Sequence, residues 1–176
     1  MPKTIYHFCP RCGHQLAWRH EYADHANEPK RQVCAGCGYV LYINSSPTAS
    51  ALIINKKDEV LLAKRAWPPA KGKWDTLGGF LENGEDPIKG LRREIKEETG
   101  VTLKNIKYLG IYLDDYHHNN RIFKTLNIFY TAEIARGKPK PSDDIAGVKW
   151  FARNRLPKNL AFRNCRQALA DWKKSL

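Results

Sequence analysis

The stretch Gly79-Phe80-Leu81-Glu82-Asn83-Gly84-Glu85-Asp86-Pro87-Ile88-Lys89-Gly90-Leu91-Arg92-Arg93-Glu94-Ile95-Lys96-Glu97-Glu98-Thr99-Gly100-Val101 decides how the chain is read. Its middle predicts one helix from Pro87 to Thr99. Asp86 is a good N-cap and Pro87 a good first helical residue, where a missing N–H is no loss. Gly100 ends the helix in the left-handed conformation. Ile88, Leu91 and Ile95 make the apolar stripe that packs on a sheet. Glu94, Glu97 and Glu98 stand at i, i+3 and i+4 and share a face. Carboxylates crowded in this way repel one another unless cations neutralise them. Hard oxygen ligands suit Mg²⁺ or Mn²⁺, which then bridges to substrate phosphates. Taken alone, three glutamates on a helix read more simply as a solvated acidic face paired with Arg92, Arg93 and Lys96.

The wider spacing overturns that reading. The stretch follows G-x₅-E-x₇-R-E-U-x-E-E-x-G-U, with U aliphatic, at every specified position. In this it resembles the Nudix box, and the resemblance extends over roughly residues 47–170. It implies that Glu94, Glu97 and Glu98 bind the catalytic Mg²⁺ ions, Glu98 being the most critical, with the Gly79 carbonyl as a further ligand. It implies that Arg93 and Glu85 pair and hold the loop–helix–loop rigid. The implied reaction is attack of a metal-activated water on one phosphorus of a pyrophosphate linkage. In the loop Ser142-Asp143-Asp144, Asp144 is the candidate general base or extra metal ligand. The family often has Pro before the glycine pair that opens the box, where this chain has Leu77.

Outward from the box, the sequence predicts strands. Ala49–Ile54 is an apolar run with the length of a buried strand, Asn55-Lys56-Lys57-Asp58 a polar turn, and Val60–Lys64 the return of a hairpin. Trp67–Trp74, with two prolines and Gly72, predicts a loop. Ile106–Leu113 and Phe123–Ile134 predict two strands, with Asp114–Arg121, Asn119 and Asn120 included, as a polar loop between them. Val148–Phe151 predicts a short strand. Residues 162–172 predict a helix that presents Cys165, Ala168, Leu169 and Trp172 on one face. Strands around one long helix and a terminal helix indicate an α/β layered domain. The resemblance makes it a Nudix α/β/α sandwich with a mixed sheet.

Residues 1–46 differ in character. Cys9-Pro10-Arg11-Cys12 and Cys34-Ala35-Gly36-Cys37 are two C-x₂-C pairs, with 21 residues between Cys12 and Cys34 and a glycine after each pair. Four thiolates make a closed tetrahedral Zn²⁺ site, structural rather than catalytic. A module this small has too little core to fold alone, and ligation supplies the missing stability. A redox dithiol and two disulfides are the competing readings, which the paired spacing and the glycines disfavour. His7, His14, His20 and His25 are further nitrogen donors, read as surface or packing residues because four cysteines complete the shell. Cys165 reads as a small buried hydrophobe. The expected organisation is a zinc ribbon over 1–46 and a Nudix hydrolase domain over 47–176. This pairing resembles the NADH pyrophosphatase group. Where that group carries a Ser-Gln-Pro-Trp type motif after the box, this chain reads Tyr108-Leu109-Gly110-Ile111-Tyr112. The closer resemblance is to small zinc-ribbon Nudix hydrolases without the motif.

The chain has 176 residues and a net charge of +12, and residues 136–176 hold 11 Lys and Arg against 3 Asp and Glu. A basic surface attracts nucleotides, nucleic acid or anionic lipid, and equally is an ordinary solvated face. No apolar run approaches the ~20 residues of a membrane span, and the N-terminal residues lack a secretory pattern, so a cytoplasmic protein is expected. For the substrate, Tyr116, Tyr112, Trp67 and Phe123 are candidates to stack on a base, and Arg121, Lys71 and Lys73 to meet phosphates. Three functions stand. The first is a Mg²⁺-dependent pyrophosphohydrolase cleaving a nucleoside diphosphate linked to another moiety, of ADP-ribose or dinucleotide type. The second acts on an NAD-type 5′ cap of nucleic acid, or on NADH or NAD. The third is a non-catalytic binding module, against which the full set of carboxylates argues. The ribbon is expected to brace the sheet or to contribute to a homodimer interface.

Overall fold

The computed structural model describes residues 6–21, 27, 29–118, 121–142 and 144–175. His25, Asn119, Asn120 and Asp143, named above, lie outside them. The chain divides into two compact units, Met1–Asn44 and Ser45–Leu176.

In the first unit, β1 (Leu16–Arg19), β2 (Arg31–Cys34) and β3 (Val40–Leu41) form an antiparallel sheet in that order. Its core is slight: Cys9, Leu16 and Cys34, with Tyr39 and Leu41 against them. Gly13 and Gly38 take positive φ and return their N–H groups to the carbonyls of Cys9 and Cys34, at 2.9 and 3.0 Å. Both turns therefore present two thiols on one side.

The second unit is built on β4 (Ser46–Ile54), whose apolar residues occupy both parities. Such a strand is buried on both faces. Ala49, Ala51 and Ile53 enter one core and Leu52 the other. Strand β5 (Glu59–Arg65) repeats the division, with Leu61 and Ala63 on one side and Val60 and Leu62 on the other. Short β6 (Trp74–Asp75) pairs with β5, and β7 (Leu77–Phe80) with β4. Leu77, standing where the family often has Pro, is fully buried opposite Ala51 of β4.

Helix α1 (Pro87–Thr99) has the expected bounds. Asp86 accepts from the N–H groups of Ile88 and Lys89, and Gly100 caps the end at φ 73°. Leu91 and Ile95 are fully buried, whereas Ile88 is 39% exposed, so the stripe rests on two residues rather than three. Beyond it run β8 (Thr102–His118), β9 (Arg121–Arg136), β10 (Ile145–Ala152) and α2 (Arg163–Lys174). The main order is β10-β5-β4-β9-β8, with β4 and β9 parallel and the other neighbours antiparallel, so the sheet is mixed. Helix α1 joins one core, and α2 covers the other with Cys165, Ala168, Leu169 and Trp172. The result is an α/β/α sandwich.

The expected polar loop over 114–121 is corrected. Asp114–His118 continue β8, paired in register with Arg121–Thr125 of β9. Polar residues hold the extension together by cross-strand pairing, as in the 2.6 Å Lys124–Asp115 ion pair. Trp74, expected in a loop, starts β6. No helix among the described residues is long and apolar enough to cross a membrane.

Candidate active site

Gly78 and Gly79 let the site close. At Gly78, φ 127°, a Cβ would stand 2.2 Å from the Ala49 carbonyl oxygen, so a larger residue would force β7 off β4. At Gly79 a Cβ would stand 2.5 Å from the Glu94 carboxylate. The Gly78 N–H donates to Glu98 Oε2 at 2.9 Å. The glycine pair thus lies directly against two carboxylates of α1.

Arg93 organises the neighbours. Its Nε and Nη2 donate to the two oxygens of Glu85, both at 2.9 Å, and Nη2 also donates to the Phe80 carbonyl at 3.2 Å. Its Nη1 donates to Glu94 at 2.6 Å and to Glu97 at 3.4 Å. Glu85 further accepts from the Glu82 N–H at 2.9 Å. The Arg93 guanidinium and this N–H hold the Glu85 carboxyl down at about 2. One arginine therefore fastens the loop to the helix by a two-pronged contact.

These residues open on a cleft of ≈ 310 Å³. Glu94, Glu98, Asp144 and Asp75 form its acidic end. Glu98 is 6% exposed. Burial, and then the charges of Asp144, Glu94 and Asp75, push its carboxyl well above the usual range against the opposing Gly78 hydrogen bond. Burial likewise raises Asp75 to about 6, although Arg65 at 3.3 Å and the Thr76 N–H oppose it. The other end is aromatic. Phe80 meets Tyr116 edge-on at 5.6 Å, Tyr116 lies 5.6 Å from Phe162, and the Arg65 guanidinium sits 5.2 Å over the Phe162 ring. Between the ends, Thr48 donates to Asn127 at 2.8 Å, and Asn127 donates to the Tyr112 carbonyl and the Thr125 hydroxyl.

A family model described as the NUDIX domain matches residues 45–172. The chain belongs to the Nudix family. It is 32% identical over 165 residues to the NAD-capped RNA hydrolase NudC of Pseudomonas aeruginosa (strain LESB58), covering 93% of this chain and 54% of that protein. To the protein of the same name from Haemophilus influenzae (strain PittGG) it is 34% identical over 105 residues, covering 58% of this chain and 37% of that one. The chain spans about half the length of the first of these relatives. Among solved structures, a NUDIX hydrolase from Nitrosomonas europaea superposes with TM-score 0.75 at 24% identity, over 96% of this chain and 91% of that one. A MutT NUDIX hydrolase from Burkholderia pseudomallei gives 0.65 at 26%, over 73% and 98%.

The Nudix box residues do not all converge. Glu94 and Glu98 line the cleft with the Gly79 backbone and Asp144, whereas the Glu97 side chain is 52% exposed and outside the lining. Tyr116 lines the cleft, on a strand rather than in a loop. Tyr112 does not: its hydroxyl donates to Asp171 of α2 at 2.9 Å and its ring packs on Phe129, so it fixes the helix. Arg121, Phe123 and the 61% exposed Trp67 also lie off the cleft. Lys71 sits 5.4 Å over the Trp67 ring, and Lys73 lines a neighbouring hollow. The sequence reading missed Phe80, Phe162, Arg65 and Asp75. Asp75 carried a signal, closing the Gly72-Lys73-Trp74-Asp75 run just before the box.

Two donor sets fit metals. Among the described residues, a group of three or more metal-type donors within 4.8 Å occurs at Cys9, Cys12, Cys34 and Cys37. Sulfurs in contact lie 3.4 to 3.7 Å apart. A tetrahedron with ~2.3 Å Zn–S bonds has edges of about 3.8 Å, so the cluster suits zinc. Burial pushes the Cys34 thiol up, but hydrogen bonds from the Cys37 backbone, the Cys12 side chain and the Gly36 backbone draw it down, while the Cys12 thiol, against the His14 backbone, is pushed up by its hydrogen bonds to Cys37 and Cys34, so the cluster shares its protons. The box carboxylates are not drawn that close, because Arg93 holds Glu94 and Glu97 while Gly78 holds Glu98. Their mutual repulsion in a buried cleft is nonetheless what a hard divalent cation relieves.

Proposed function

We propose that the chain is a Mg²⁺- or Mn²⁺-dependent pyrophosphohydrolase. Its substrate is a nucleoside diphosphate linked to a second moiety, of dinucleotide or ADP-ribose type. The observation that carries this is Glu98, buried and fixed by the Gly78 N–H, with Glu94 and Asp144 in the same cleft. Glu94, Glu98 and the Gly79 carbonyl, with Glu97 once its side chain leaves Arg93 for the cleft, would hold the catalytic cation, which would supply an activated water and neutralise the leaving phosphate. Arg93 and Glu85 keep the loop and helix at fixed spacing. Asp144 takes the proton of the attacking water. The P–O–P bridge breaks and two monophosphates leave. Phe80, Tyr116 and Phe162 offer apolar ring surface to a base at the far end of the cleft. We read 1–46 as a zinc ribbon whose Cys9, Cys12, Cys34 and Cys37 hold a structural ion, and 47–176 as the hydrolase domain.

A second reading, hydrolysis of an NAD-type cap on RNA, is favoured by the names of the NudC relatives and by the basic C-terminal quarter. The test is product analysis with Mg²⁺ and ADP-ribose, NAD, NADH, dinucleoside polyphosphates, nucleoside triphosphates and NAD-capped RNA. Release of monophosphates from a two-part diphosphate is the expected result. Turnover of capped RNA alone selects the second reading. No turnover of any compound by folded, zinc-loaded protein overturns both.

A further inference from the structure

A second hollow of ≈ 290 Å³ adjoins the active-site cleft, and the two share Asp114, Asp115 and Phe162 as a common wall. It lies on the aromatic side, away from the acidic end. Its charge is opposite in character. The cleft is lined by several acids and one cation, Arg65, whereas the hollow is lined by Lys73, Arg163, Arg166 and His117. Its two acids are already matched. Asp114 accepts from the Asn164 N–H at 2.9 Å and lies 3.7 Å from Arg163, and Asp115 pairs with Lys124 at 2.6 Å. Asp114 therefore occupies the first turn of α2, so an incoming anion would meet side chains and not the helix end. Arg166 donates to the Leu160 carbonyl at 3.2 Å. No carboxylate pairs with Arg166 or Lys73 among the described residues. The loop that supplies Pro69, Ala70 and Lys73 to the hollow also displays Trp67, 61% exposed.

We infer that this hollow is a subsite for a phosphate carried on the ribose of the nucleotide whose base lies among Phe80, Tyr116 and Phe162, with Lys73 and Arg166 as its ligands. The inference rests on the proposed hydrolase site and extends it. A nucleoside seated at the aromatic end has its diphosphate toward Glu94 and Glu98, and its remaining ribose oxygens face the shared wall. A phosphate ester there meets two cations that the acidic cleft cannot offer. The same chemistry has two sources, a small nucleotide bearing a ribose phosphate or the first phosphodiester of an RNA chain. In the second case the exposed Trp67 gives the next base a stacking surface.

The test compares NAD, NAD carrying a 3′-phosphate on its adenosine, and NAD-capped RNA of ten nucleotides. Each is tried with the wild type, Arg166→Glu, and Lys173→Glu as a charge-matched control on an exposed part of α2. The expected result is kcat/KM about tenfold higher for the 3′-phosphate than for NAD. Arg166→Glu erases that ratio through KM and Lys173→Glu keeps it. A further gain for RNA, lost in Trp67→Ala, assigns the subsite to an RNA chain. No further gain assigns it to a small nucleotide. An unchanged ratio in Arg166→Glu overturns the inference. Calorimetric binding of adenosine 3′,5′-bisphosphate against AMP separates this from the hydrolase reading. Tighter bisphosphate binding that Arg166→Glu removes supports the subsite even if nothing is hydrolysed. Equal binding of the two ligands overturns it even if NAD is cleaved.

Discussion

At the residue scale, the site depends on two glycines and one arginine. Gly78→Ala puts a methyl 2.2 Å from the Ala49 carbonyl oxygen at a φ that L-residues rarely adopt. Denaturant unfolding should show a loss of about 3 kcal/mol. An unchanged midpoint would mean that β7 is not seated against β4 as described. Arg93→Lys keeps the charge but cannot make the two-pronged bond to Glu85 while also reaching Glu94 and the Phe80 carbonyl. Steady-state assays should give kcat about 10–100-fold lower with the melting temperature little changed. The resemblance to the Nudix box made Arg93, Glu85, Glu94 and Glu98 legible, whereas helical periodicity by itself placed only the glutamates of α1 on one face. Phe80 and Phe162 were not legible. Each ends a strand or precedes a helix, and an aromatic in such a position looks in sequence like one more core residue. Tyr112 failed the opposite way: it shares a face of β8 with Tyr116, but it stands alongside α2, where its hydroxyl bonds Asp171, and only Tyr116, four residues on, reaches the cleft.

At the element scale, α1 was readable to the residue because Asp86-Pro87 and Gly100 are chemical punctuation. The β8–β9 extension was not, since its residues are polar and nothing local distinguishes a polar hairpin from a loop. That extension supplies Asp114, which accepts from the Asn164 N–H and so caps α2, whose own Phe162 offers no side-chain cap. Asp114→Ala should cost about 1 kcal/mol of stability in thermal unfolding. It should also raise KM, since Phe162 and Asn164 border the cleft. On the far side, Arg153 ties the β4–β5 turn to the end of α2. It donates to both Asp58 oxygens and to the Trp172 carbonyl, and lies 4.2 Å over the Trp172 ring. Arg153 hydrogen bonding holds the Asp58 carboxyl below its ordinary value. A depressed carboxylate stabilises the fold above its unfolded pKa, and that gain is lost as pH falls through the folded one. Asp58→Asn should therefore melt lower than the wild type at pH 7, and the two curves should converge below about pH 3.8.

At the scale of the whole molecule, the two units have different sources of stability. Ser45–Leu176 has a sheet buried on both faces, whereas Met1–Asn44 has a core of three buried residues beside four clustered thiols. Chelation should melt the first unit, seen as new proteolytic cleavage within residues 1–44 with the rest protected. Cys34→Ser should reduce the folded yield without changing the chemistry of what folds. A stable variant with altered substrate choice would instead give the first unit a part in recognition.

The central claim, that Glu98 and its neighbours make a metal-dependent hydrolytic centre, is tested most directly by Glu98→Gln. This change removes the charge and preserves the shape. The rate of pyrophosphate cleavage on the best substrate should be measured in both proteins over a Mg²⁺ titration, with circular dichroism to confirm the fold. The account predicts a loss of at least about 10²–10³-fold that saturating Mg²⁺ does not restore. A folded Glu98→Gln protein that cleaves its substrate at the wild-type rate would contradict it.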